Sequence, residues 1–165
     1  MKPNRRHYEA SLTIPGSAER VFAYIDDHKR FSSHMSQSSW MMAGGRMKLT
    51  LDAGGGKKLG SHIKLGGKVL GASLYLDEVI TEYQPPLKKV WETVGATKLL
   101  VIGDYRLGVE IKPKDQDCLV RVFIDYELPA TNVWLGRLFG GIYAKWCVGQ
   151  MIQGIHYHFS ERRLD

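Results

Sequence analysis

The chain is poor in the residues that most chemistry-bearing motifs require. Its 165 residues hold only two cysteines, Cys118 and Cys147. That is too few for a disulfide scaffold or a thiolate zinc site, and they read as reduced thiols of a cytoplasmic protein. There is no HExxH, and His156 and His158 are two apart, which puts them about 200° apart on a helix, so no metal is expected. Gly54-Gly55-Gly56-Lys57-Lys58 lacks the spacing and the hydroxyl residue of a phosphate loop. No GxGxxG is completed at a strand-to-helix junction either, so no nucleotide cofactor is expected. Ser32-Ser33-His34 lacks the GxSxG of a nucleophile elbow. No apolar run approaches the roughly 20 residues of a membrane span, and the opening MKPNRRHYEA has basic residues with no apolar segment behind them, which argues against export.

What is present describes one globular domain over residues 1–165, because 44% hydrophobic and 24% charged residues exclude a disordered chain. The formal charge of +6 invites an anionic partner. The cations are scattered, however, in pairs at termini and turns: Arg5-Arg6, Lys57-Lys58, Lys88-Lys89 and Arg162-Arg163. Without aromatic interleaving they point to no specific nucleic acid. Solvated loop tips and peripheral contact with an anionic membrane both remain open, and the oligomeric state leaves no mark in the sequence.

Taken in order, His7 to Ile14 alternates as a strand ended by Pro15-Gly16. Ser17 is placed to cap a short helix, Ala18 to Ile25, and His28 to Met35 predicts a second one. Alternation then marks about six more strands. Arg46 to Asp52 is followed by a glycine hairpin into His62 to Leu65; Gly66-Gly67 predicts another turn into Val69 to Tyr83, which Pro85-Pro86 stops. Lys89 to Val94, Leu99 to Lys112 and Cys118 to Leu128 complete the set. The last has the cleanest pattern, with Val120, Val122, Ile124, Tyr126 and Leu128 on one face.

Thr131 to Arg163 is the one long proline-free segment, and with no second long helix to pack on, it must bury a face against the sheet. At about 100° per residue, Leu135, Leu138, Phe139, Ile142 and Trp146 share one side of it. Ala144, Val148, Met151, Ile152, Ile155 and Phe159 share nearly the opposite side. Gly140, Gly141 and Gly149 lie around this changeover, which predicts a break or kink near one of them.

The runs IPGSAERVFAYIDDHKRFSSHM, LGGKVLGASLYLDEVITEYQPPLKKVWETVG, LLVIGDYRLGVEI and IDYELP, with YAKWCVGQM in the terminal helix, resemble the START-like helix-grip superfamily (SRPBCC), and within it the polyketide cyclase/dehydrase-type branch. The likeness covers nearly the whole chain and rests on element order. It implies an α+β helix-grip fold, a curved antiparallel sheet wrapped around a long C-terminal helix. It also implies a deep apolar cavity between the two for a hydrophobic small molecule or lipid, and, in some members, cyclisation or dehydration there. On this chain the walls expected for such a cavity are Leu74, Leu76, Tyr105, Leu107, Val122, Ile124 and Tyr126 from the strands, with Val148, Met151, Ile152 and Ile155 from the helix; His28 and His34 are expected at its mouth. Tyr105, Tyr126 and Glu78 are the candidates for acid–base work, since a few polar groups with burial-shifted pKa values are what a greasy cavity needs for carbonyl chemistry. Parity puts Glu78 in line with Leu74, Leu76 and Ile80, where desolvation would raise its pKa. Val79 and Tyr83 fall on the other parity, and because unpaired carboxylates are rarely buried, the expectation is that a bulge or edge turns Glu78 outward, with the inward position as the alternative. No cofactor is implied.

Overall fold

The structure, a computed structural model, describes residues 5–31 and 46–162. Strand β1 (Arg6–Pro15) leads through Ser17, whose hydroxyl accepts the Arg20 amide, into helix α1 (Ala18–Asp26) and the single turn α2 (His28–Phe31). The sheet continues with β2 (Arg46–Leu51), β3 (His62–Val69), β4 (Ala72–Gln84), β5 (Lys88–Lys98), β6 (Tyr105–Lys114) and β7 (Asp117–Tyr126). Helix α3 (Val133–Glu161) closes the fold.

The seven strands form one sheet in the order β1-β7-β6-β5-β4-β3-β2. Every neighbouring pair is antiparallel. Hairpins set all the neighbours except β1, which returns to pair with β7 and so carries α1 and α2 across the sheet's inner face. The inner face is the core: Ile14, Leu76, Ile80, Trp91, Val109, Val120, Val122 and Ile124 are all buried between the sheet and the helices. Tyr24 of α1 grips the far end of α3, stacking on His158 at 4.5 Å and donating to the Gly154 carbonyl at 3.4 Å. A buried ionic knot ties α1 to the sheet, with Lys89 Nζ 2.9 Å and the Tyr83 hydroxyl 2.8 Å from the two Asp26 carboxylate oxygens.

Several expectations from sequence change. Gly66 and Gly67 lie inside β3, and the turn is Leu70-Gly71, both at positive φ (51° and 77°). Such a pair matches the twist of a two-residue hairpin, and the apolar Leu70 hid it. The predicted strand from Leu99 is irregular as far as Asp104; β5 instead extends to Lys98, and β6 starts at Tyr105. The second short helix ends at Phe31, and the rest of its predicted span lies outside the described residues.

The predicted helix break is absent, since α3 runs unbroken from Val133 to Glu161. Its glycines serve close approach instead of bending. A Cβ at Gly136 would stand 2.3 Å from Pro129 Cδ, and one at Gly140 would stand 2.9 Å from the Val101 carbonyl oxygen. Gly136, Gly140 and Ala144 are the buried positions of the first half, continued by Cys147, Val148, Met151, Ile152, Ile155 and Phe159. The inward stripe is therefore continuous, built of small residues first and large ones later. That is why the large residues of the first half point the other way.

Candidate functional site

Among the described residues, Glu78 is the one carboxylate buried in the core, at 2% exposure. The pairing of β4 with β5 slips twice, between Tyr75 and Asp77 and between Ile80 and Glu82, and neither irregularity turns Glu78 outward, since the alternation of buried residues runs unbroken from Leu74 to Ile80. Leu74, Leu76, Glu78 and Ile80 therefore all face inward, while Tyr83 recovers an inward path to Asp26. The Tyr105 hydroxyl, entering from the first residue of β6, donates a hydrogen bond to Glu78 Oε1. Tyr105 is itself fixed by its backbone N–H, which donates to Thr93 Oγ1 at 3.0 Å. Glu78 Oε2 has no hydrogen-bond partner among the described residues. His28 Nε2 stands 3.9 Å from this oxygen, beyond hydrogen-bond reach. The His28 ring stands edge-on to Trp91, with centroids 5.3 Å apart.

Burial dominates the electrostatics. Desolvation pushes the Glu78 carboxyl from 4.5 to about 7, against the pull of the Tyr105 hydrogen bond and the weaker pull of the Trp91 indole N–H, which stands nearby without reaching hydrogen-bond geometry. The same desolvation, reinforced by the Glu78 charge, holds Tyr105 well above its usual value and pushes the Cys147 thiol up to about 12. Cys147 is thus a neutral packed thiol and no nucleophile. Around pH 7 the Glu78 carboxyl is poised between its two forms, able to donate a hydrogen bond in one and to accept in the other.

Glu78 and Tyr105 open onto a cavity otherwise walled by Leu65, Leu76, Trp91, Leu99, Ile102, Leu107, Ile124, Tyr143, Cys147 and Met151. A second cavity, lined by Met47, Val69, Leu74 and Leu99 to Ile102, shares Tyr143, Leu99 and Ile102 with the first. Among the described residues, the space beneath α3 takes the form of this pair of narrow cavities. The inner one leaves about 20 Å³ for the centre of a water-sized sphere and the outer about 70 Å³. Ligand sites usually run to about 300–1,000 Å³, whereas ~10–15 Å³ holds one water. The rings of Trp91, Tyr105 and Tyr143 stand among their walls.

Of the residues expected to line a cavity, Leu76, Tyr105, Leu107, Ile124 and Met151 border the inner space and Leu74 the outer. Val122, Val148, Ile152 and Ile155 are packed core with no wall in either. Tyr126 is buried against the α3 glycines, its ring 3.4 Å from where a Gly140 Cβ would stand, and it too borders neither cavity. His28, expected at a mouth, is 2% exposed and sits beside Glu78, because the one-turn α2 lies under the sheet's curve. His34 lies outside the described residues. Sequence reading missed Trp91, Tyr143 and Cys147. The parity of β5 carried a signal for Trp91, and the helical angle of Tyr143, between the two apolar arcs, hid its role. Both cysteines are buried and unbridged, and among the described residues no helix is long and apolar enough to cross a membrane.

A curved sheet closed over one long C-terminal helix, with its polar groups gathered beneath the helix, is the helix-grip class of α+β protein. Within that class the chain belongs to the family described as polyketide cyclase / dehydrase and lipid transport, whose pattern matches residues 5–156. Solved structures share the frame at low identity. The protein TTHA0849 from Thermus thermophilus superposes with a TM-score of 0.68 at 14% identity, covering 95% of this chain and 99% of that one. A Thalictrum norcoclaurine synthase point mutant, in complex with a transition-state analogue, gives 0.66 at 12% identity, covering 99% of each chain. The di-domain ARO/CYC StfQ from the steffimycin biosynthetic pathway gives 0.69 at 9% identity, covering 96% of this chain and 52% of that one. No curated protein sequence matches the chain.

Proposed function

We propose that the chain binds a hydrophobic small molecule between the sheet and α3, with the Glu78–Tyr105 pair as the polar anchor of an otherwise apolar site. The observation that carries this is Glu78 Oε2, a buried carboxyl oxygen without a hydrogen-bond partner among the described residues, on the wall of an apolar cavity. Leaving such an atom unpaired costs roughly 1–3 kcal/mol, which a ligand carbonyl or hydroxyl at that point would recover. The ligand class is therefore apolar, with one carbonyl or hydroxyl. Because the resting cavities are narrow, binding joins them by displacing Tyr143, the ring they share, with Met151 as the adaptable wall. Native mass spectrometry of the purified protein, followed by extraction and identification of what travels with it, tests the reading. One such compound bound per chain, and weakened in Glu78→Gln, is the expected result. A folded protein that arrives empty and takes up no apolar carbonyl or hydroxyl compound refutes it.

A second reading, proton-transfer catalysis on a polyketide-like substrate, is favoured by one specific feature: a carboxyl with a pKa of about 7 hydrogen-bonded to a tyrosine. A general acid or base works best when its pKa lies near the working pH. The frame admits catalysis, as norcoclaurine synthase illustrates by its name. Turnover abolished in Glu78→Gln with binding retained would support it; turnover indifferent to Glu78→Gln and Tyr105→Phe would remove it.

A further inference from the structure

The outward side of α3 carries an apolar stripe that the fold leaves largely exposed. Leu138, Phe139 and Ile142 recur at helical spacing on the side opposite the buried one, with the part-buried Leu135 beside them and Trp146 at the margin, packed against the core. Leu138 is 61% exposed, Ile142 53% and Phe139 47%, and Trp134 at the edge of the stripe is 60% exposed. Isolated exposed apolar residues are ordinary, but a contiguous row on one helix marks an interaction surface. The charges beside it have one sign. Between Glu127 and Glu161 the sequence contains no acidic residue, and its cations there are Arg137 and Lys145, both exposed.

We infer that this face of α3 docks on an anionic lipid surface, lying in the headgroup plane with Trp134, Leu138, Phe139 and Ile142 immersed and Arg137 and Lys145 against the lipid phosphates. A helix that is apolar on the outer side, flanked by cations and edged by tryptophan, has the composition of an interfacial helix. The formal charge of +6 adds long-range attraction to such a surface. The same charges argue against a second copy of this chain as the occupant, since pairing the stripe with itself would bring Arg137, Lys145 and two positive molecules together. The inner side of the same helix supplies Tyr143, Cys147 and Met151 to the cavity. Docking would therefore set the cavity wall one helix diameter from the bilayer. The inference does not depend on what the cavity holds.

Sedimentation with phosphatidylcholine vesicles, with and without about a third phosphatidylserine, tests it at low and physiological salt. The wild type is expected to bind the anionic vesicles and to release as salt rises. The double variant Arg137→Gln/Lys145→Gln is expected to bind them about thirtyfold more weakly. Leu138→Ser/Ile142→Ser is expected to lose at least about tenfold, with the thermal midpoint unchanged because both side chains are exposed. Leu59→Ser, which removes an equally exposed leucine (65%) in a distant turn, is expected to bind like the wild type. Absence of vesicle binding, binding indifferent to both double variants, or a dimer in solution that the Leu138→Ser/Ile142→Ser variant dissolves would each overturn the inference.

Discussion

Replacing Glu78 with glutamine should remove a pH dependence that the wild type carries in its stability. In the unfolded chain the carboxyl titrates near 4.5; in the folded protein burial raises it to about 7. Below both values the group is protonated in either state and costs nothing. Between them the unfolded chain releases its proton while the folded one retains it, so stability falls as pH rises through this window and levels off above about 7. A rise from 4.5 to about 7, at about 1.4 kcal/mol per unit, amounts to ~3 kcal/mol. For a chain of this size that is roughly 6–12 °C in Tm. Other groups titrate in the same range, so the quantity to follow is the difference between wild type and Glu78→Gln in urea unfolding, at several pH values from 4 to about 8. The groups facing Glu78 are kept in both proteins: Tyr105, His28, Trp91, Tyr143 and Cys147, with Asp77 and Lys89 further out. The wild type should lose ~3 kcal/mol relative to the variant across the window. A flat difference would refute the claim that the folded core holds this carboxyl protonated above its ordinary range.

The remaining predictions concern the same core. Tyr105→Phe removes the donor that lowers the Glu78 pKa, so the window in which stability falls should extend to higher pH, read by the same unfolding series. Gly136→Ala drives a methyl into Pro129 and should cost about 1–3 kcal/mol net of helix propensity. Gly149→Ala, where a Cβ meets nothing within 4 Å, should stabilise by up to ~1 kcal/mol, both by thermal denaturation. Asp26→Ala strands the fully buried Lys89 and the Tyr83 hydroxyl and should cost roughly 3–5 kcal/mol in chemical denaturation. Lys89→Met, which leaves the part-exposed Asp26 with its Tyr83 hydrogen bond, should cost clearly less.

The fold was legible because its signals are local and repeated: strand alternation, turn residues, one long proline-free segment, and the order in which they come. What was lost depended on contacts between distant residues. The glycines of α3 have the same composition whether they bend a helix or let it touch Pro129 and Val101; only the position of those partners decides, and it decided for contact. Leu70 in a two-residue turn contradicts its own propensity and is tolerated because its neighbour Gly71 shares the positive φ. At the site, parity brought Glu78 and Tyr105 inward, but that their side chains meet depends on the β4–β5–β6 register. His28 joins them through the path of α1 and α2, which no spacing in the sequence specifies. Tyr126 shares the inward parity of its strand and still serves packing, because α3 lies directly on it.

The central claim is that the space beneath α3 is a site for an apolar molecule anchored at Glu78. Titrating the folded protein with an apolar fluorescent probe that carries a carbonyl, and repeating this with Met151→Trp to fill the wall and Glu78→Gln to alter the anchor, tests it most directly. Saturable binding of one probe per wild-type chain, abolished by Met151→Trp and weakened by about five- to tenfold in Glu78→Gln, is what the account predicts. No saturable uptake by the folded wild type, or uptake unchanged when Met151→Trp occupies the space, would contradict it.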